Sequence, residues 1–247
     1  MAEEEVAKHT KKIYSIWNSK EHSFLHKLQE FVLEILIIVF AVTLSIWFHS
    51  WSEHKHEQKE VKEFMLGLQE DLAHDLKEME EDKKSYLGQK HAFSYISGVK
   101  MNEVLNRDSV QKYAYNIFNT TELNPNDGRF EGFKSSGKIG NIEDKVLQND
   151  IMDLYQESIP ALLASTKAYL GIKKELFNYI LKNKRRLTDS TSNILSLIKN
   201  DEAYNICSML ANPQEVLDRY DQCAALMRKI IGEIEKIYPD KYLPVNG

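Results

Sequence analysis

FVLEILIIVFAVTLSIWFHSW, residues 31–51, is the stretch that decides the fold. It is almost continuously apolar over about the 20 residues that a helix needs to cross a bilayer. No other stretch of the chain resembles it. A charged leader, residues 1–30, precedes it, and a long charged segment follows. The run starts too late and is too long for a cleavable signal peptide, which has a short apolar core near its start and a small-residue cleavage site. It reads as an uncleaved anchor. The chain reads as a single-pass membrane protein whose first partner is the lipid bilayer.

The leader holds Lys8, Lys11, Lys12, Lys20 and Lys27, balanced by Glu3, Glu4, Glu5, Glu21 and Glu30. Ile13, Trp17, Phe24 and Leu28 share one helical face, with Ile16 and Leu25 among the other apolar residues. Such a helix fits either the membrane interface or a neighbouring subunit. Beyond the span, Lys55, Lys59, Lys62 and Lys77 offer slightly less positive charge than the leader does. The positive-inside preference then puts the N-terminus in the cytoplasm. The expected setting is a bacterial inner membrane with the C-terminal domain in the periplasm.

The segment after residue 51 is long enough for one domain with its own core. A net charge of -5 gives no reason to expect a nucleic-acid partner, because phosphate binding needs a concentrated basic surface. The dense basic run Lys182, Lys184, Arg185 and Arg186 reads as the C-terminal end of a helix, where the macrodipole favours cations. Cys207 and Cys223 form neither a disulfide framework nor a metal pattern. They read as separate buried thiols, with pairing open if their helices run antiparallel.

Helix signals run through the whole segment. Val61, Met65, Leu68, Leu72, Leu76 and Met79 follow helical steps, so residues 52–98 read as a stalk helix continuing the span. Its charged positions fit solvated ion pairs. A helix is expected from about 109 to 118 with Asp108 as cap, then a loop over 119–141 with room for one helical turn. Asn141 is the expected cap of a third helix from Ile142. Pro160 opens a fourth, reaching about Leu187. Asp189 or Ser190 starts a fifth, a short one covers about 201–211, and Asn212, Pro213 and Glu215 open the last. Pro239 and Pro244 end the structure. The fold class is therefore all-α: leader 1–30, transmembrane helix 31–51, stalk 52–98 and C-terminal helical bundle 99–247.

Candidate chemistry is sparse. Gly132, Gly137 and Lys138 have the spacing of a phosphate-binding loop, but Ile139 stands where such a loop needs Ser or Thr, and no buried strand precedes it. A glycine-permissive turn is the plainer reading. His49, Glu53, His56 and Glu60 lie on one helical face at the exit of the span and carry ligands suited to zinc or a similar ion. The same face could act as a pH sensor. All eight histidines precede residue 92, so the bundle has no imidazole base for a nucleophile. No enzyme activity and no cofactor is expected.

Glu34 is the most pointed single residue. A carboxylate one turn inside an apolar span either reaches back to the headgroups or marks a partner or an ion path. Glu34, Ala41, Ser45 and Ser52 fall on one narrow arc, with Ile38 and His49 beside it. Small and polar residues on one face suit association between membrane helices.

Two blocks resemble a known family. One runs from Leu33-Glu34-Ile35-Leu36-Ile37-Ile38-Val39 to Trp51-Ser52-Glu53. The other is GFKSSGKIGNI, residues 132–142, followed by Leu147 and by Ile151 to Tyr155. Together they resemble an uncharacterised family of single-pass membrane proteins common in Bacteroidota. That family has a Glu-led aliphatic span ending in a Trp-containing polar patch, and a Ser-Ser-Gly turn leading into a helix. Here Leu33 replaces the expected Gly before the glutamate, and the exit is rich in His and Ser rather than Asn. The resemblance covers about a third of the chain. It implies an envelope protein and no particular activity.

The function expected from all this is a non-enzymatic, membrane-anchored helical protein that homo-oligomerises or joins another envelope protein through its span and stalk. Two alternatives stand beside it. One is an oligomeric pore with Glu34 and Ser45 on its path. The other is a metal or pH sensor built on His49, Glu53, His56 and Glu60.

Overall fold

A computed structural model describes residues 8, 10–12, 14–15, 24–100, 103, 107–188 and 191–239. Ile13, Ile16 and Trp17 of the leader face, the helix start at Asp189 or Ser190, and Pro244 lie outside these residues. The protein is all-α, as expected. The helices are α1 (Phe24–Gly98), α2 (Arg107–Phe118), α3 (Gly128–Ser135), α4 (Lys145–Asp153), α5 (Ile159–Asn183), α6 (Ile194–Ile198), α7 (Asp201–Leu210) and α8 (Gln214–Ile237). Among the described residues, extended pairing is limited to one bridge, between Arg186 and Ser192.

The chain forms two compact units, residues 1–60 and 61–247, so their boundary falls inside α1 rather than at residue 98. In the first unit, α1 carries the 31–51 stretch and is long and apolar enough to cross a membrane. Most of its apolar side chains are bare in the isolated chain: Phe40 is 67% exposed.

In the second unit, α1 is not a free stalk. Val61, Met65, Leu68, Leu72 and Met79 are buried, with Leu76 packed against them. The stripe read from the sequence is therefore the spine of the bundle's core, not an unpartnered seam. Burying a side chain such as Leu68 contributes roughly 1.5–3 kcal/mol. Helix α8 lies antiparallel to it. Gln69 Nε2 donates to Glu235 Oε1 at 3.0 Å, and Tyr220 OH donates to Asp82 Oδ2 at 2.7 Å. Lys83 pairs with Asp221 one step further along. Helix α5 also crosses α1, with the Tyr86 and Tyr169 rings edge to face at 5.4 Å and Lys173 bonded to Gln89.

Several ends differ from expectation. Helix α4 is capped by Asp144, not Asn141: the Asp144 Oδ1 accepts from the backbone N–H of Val146 and of Leu147, each at 3.0 Å. The carboxylate satisfies two orphan donors and complements the macrodipole. Helices α4 and α5 are joined without a break by a π turn, Leu154–Ser158. Pro160 lacks an N–H for the preceding carbonyls and crowds them, and a widened π turn accommodates that. Helix α5 ends at Asn183, ahead of Leu187, with Lys182 in its last turn, as the basic run suggested. Helix α8 starts one residue late: Pro213 is the N-cap and no side chain caps it by a hydrogen bond. Cys207 and Cys223 are both free and buried.

Candidate functional site

The span unit holds the residues singled out first. Glu34 is 3% exposed. Its Oε2 lies 3.4 Å from Lys12 Nζ, reached from helical residues of the leader. A carboxylate inside an apolar run is costly, and an opposite charge at this distance offsets part of the cost. Glu34 thus finds a partner within its own chain. Two interior hydroxyls of the span are also internally satisfied. Thr43 Oγ1 donates to the Val39 carbonyl at 2.7 Å, and Ser45 Oγ donates to the Ala41 carbonyl at 2.9 Å. This back-bonding lets a hydroxyl sit on a helix in hydrocarbon without a second helix. Ala41 and Ser45 remain exposed in the isolated chain. At the exit, the Lys55 ammonium lies 4.3 Å from the centroid of the Trp51 ring, a cation–π contact.

The exit face does not gather a metal site within one chain. His56 Nε2 is 3.7 Å from Glu60 Oε1, while His49 and Glu53 are exposed. Among the described residues, no group of three or more His, Cys, Asp or Glu is placed to hold an ion. The phosphate-loop lookalike is a helix end. Ser136 Oγ donates to the Phe133 carbonyl at 2.8 Å, and Gly137 adopts φ 74° before a short 3-10 turn, Lys138–Asn141. That left-handed position favours glycine.

The bundle carries a feature that the sequence reading passed over. On α1 a polar stripe runs beside the apolar one: Asp71, Asp75, Glu78, Asp82, Ser85 and Gln89, at steps of four, three, four, three and four. These positions read as solvated charge, but the structure engages all of them. The segment expected as an open loop, residues 119–127, is strapped along them. Tyr86 OH donates to the Thr121 carbonyl at 2.7 Å, and Asn119 Nδ2 donates to Ser85 Oγ at 2.9 Å. The Asn124 N–H donates to Glu78, and Asn126 donates to Asp75 through both its backbone and its side-chain nitrogen. Arg129 Nε then meets Asp71 at 2.7 Å, and Phe133 stacks on Phe64 at 4.0 Å. Burial pushes the Asp75 carboxyl above its usual range despite the Asn126 bonds, and it does the same to Asp82 beside Tyr220.

Lys173 closes this network at its far end. It is 6% exposed. Its ammonium donates to Gln89 Oε1 at 2.8 Å, Asn119 Oδ1 at 2.9 Å, the Asn119 carbonyl at 2.5 Å and the Asn116 carbonyl at 3.1 Å. All four acceptors are neutral oxygens. Two are backbone carbonyls at or just beyond the C-terminal end of α2, where a cation is favoured. Burial lowers the Lys173 pKa to about 8. The amine forms part of the wall of a groove of about 360 Å³ between α2 and α5, with Ile117, Phe118, Leu170 and Phe177 as its apolar lining. Lys173 shows no sequence signal of its own, being one lysine beside another on a helix.

No protein-family model, no curated protein and no solved structure matches the chain.

Proposed function

We propose that this is a single-pass, membrane-anchored, non-enzymatic helical protein of a cell envelope. It holds a helical bundle at the bilayer for assembly with copies of itself or with another envelope protein. The observation that carries the reading is the state of residues 31–51. Most of their apolar side chains are bare, their two interior hydroxyls are bonded within the helix, and their carboxylate is paired with Lys12. A bare apolar helix of this length is unfavourable in water and suited to lipid. The resemblance of the Glu34-led span and the Ser-Ser-Gly turn to an envelope family supports the same reading. The lysine balance supports a cytoplasmic N-terminus and a periplasmic bundle in a bacterial inner membrane.

Assembly through the 61–79 stripe loses support, because those side chains are covered by the bundle itself. Association falls instead to the lipid-exposed span, with Ala41 and Ser45 on one face, and to the outside of the bundle. A pore with Glu34 on its path also loses support, since Lys12 pairs with that carboxylate. Light scattering of the detergent-solubilised full chain, corrected for bound detergent, tests the assembly. The expected result is a protein mass of two or more chains. A monomer at all concentrations would end the homo-oligomer half of the proposal.

A further inference from the structure

The groove between α2 and α5 has a composition that anchoring does not use. Its volume of about 360 Å³ is within the range of small-molecule pockets. Its apolar side is formed by Ile117, Phe118, Leu170 and Phe177, and its polar side by Asn119, Thr120, Lys173 and Lys174. Phe118 and Phe177 meet edge to face at 6.3 Å and stay 42% and 49% exposed. Among the described residues, two lysines and no carboxylate line it.

The two lysines differ in what is left to them. Lys173 is committed to its four oxygens, and its charge is answered by the C-terminal end of α2. Lys174 is exposed, and it makes no hydrogen bond or ion pair with the described residues. The positions three and four residues away on α5 are Leu170, Gly171, Phe177 and Asn178, so no acid shares its face. The Thr120 hydroxyl is likewise without a partner among the described residues. Among the described residues, the groove therefore offers an apolar wall with a cation and a hydroxyl that have no partner there. A cation beside an apolar, low-dielectric wall attracts an anion more strongly than it would in open water.

We propose that this groove binds a linear amphiphilic carboxylate of the fatty-acid class, with its chain against Phe118, Leu170 and Phe177 and its headgroup at Lys174 and Thr120. A neutral amphiphile of the same length would gain the wall and lose the charge contact. A cationic one would be repelled.

Photolabelling of the full chain in phosphatidylcholine nanodiscs tests this. The probe is decanoate carrying a diazirine, and labelled peptides are read by mass spectrometry. The expected result is labelling within residues 117–120 and 170–177, displaced by excess decanoate but not by decyltrimethylammonium. Lys174→Glu should lower labelling of these peptides about fivefold, as expected for reversing a part-exposed charge contact. Phe177→Asp should remove it. Both positions are exposed, and circular dichroism checks that helicity is kept. Equal displacement by the cationic amphiphile, or labelling unchanged by Lys174→Glu, would overturn the proposal and leave only a greasy surface. Labelling confined to residues 31–51 would also overturn it while leaving the membrane anchor intact.

Discussion

Lys12 Nζ stands 3.4 Å from Glu34 Oε2, so the one carboxylate within the apolar run is met by a cation twenty-two positions earlier in the same chain. Lys12 is thereby fitted to the apolar run rather than left without a partner. In a double-mutant cycle, Lys12→Met and Glu34→Gln should show a coupling of about 0.5–3 kcal/mol, the range for residues in direct contact. Unfolding of the full chain in detergent measures it. Additive effects would mean that the two side chains do not interact.

The burial of Leu68 and Leu72 makes the second half of α1 a core element. Leu68→Ala should destabilise the bundle by about 2–5 kcal/mol, through lost burial and the cavity left behind. Denaturant unfolding followed by circular dichroism reads this directly. A free stalk would instead show a change in assembly with bundle stability unaltered.

Asp144 caps α4 through two backbone N–H groups. Asp144→Ala should cost about 0.5–2 kcal/mol, the usual loss for a missing cap. Asn141→Ala serves as the comparison and should cost less, because Asn141 does not cap the helix. A reversed order would restore the cap expected from the sequence.

Lys173 ties stability to pH. Its folded pKa, about 8, lies below the ordinary value of 10.5. The unfolded chain therefore holds this proton more tightly, and the lysine's contribution to stability rises as pH climbs from 8 towards 10.5. The Cys207 and Cys223 thiols work in the opposite sense: burial pushes them up to about 12, so they lose stability above pH 9. Comparing the protein with Lys173→Met removes the thiol effect. The stability of the natural protein relative to the variant should increase by about 1 kcal/mol between pH 7 and pH 9. A difference independent of pH would show that Lys173 titrates normally.

The elements with strong periodicity were legible in the sequence. The 31–51 run and the Val61–Met79 stripe announced one long helix, and Pro160 and Pro213 fell at helix starts. Periodicity does not say what covers a stripe, so the same residues fitted a stalk seam and a bundle core equally well. The strap over 119–127 was illegible for a different reason. It has no ladder of its own, and its donors and the Thr121 carbonyl are met by side chains of α1 about 35–50 positions away. One clue was present: Asp71, Asp75, Glu78, Asp82, Ser85 and Gln89 repeat at helical spacing, and a polar stripe that regular can meet donors as well as water. The cap at Asp144 was missed because Asn141 is an equally good cap by type. The 3-10 turn through Lys138–Asn141 decides between them. The groove beside Lys173 depends on α2 meeting α5, which no local pattern encodes.

Thiol accessibility along α1 tests the membrane anchor most directly. Cys207 and Cys223 are fully buried and weakly ionised, so they give a low background. Cysteines placed singly at Leu36, Phe40, Ile46 and Lys59 would be treated with a membrane-impermeant maleimide, in intact and in detergent-opened vesicles. The account predicts no labelling at 36, 40 and 46 in intact vesicles and ready labelling at 59 from one side. Labelling at all four positions in intact vesicles would contradict it.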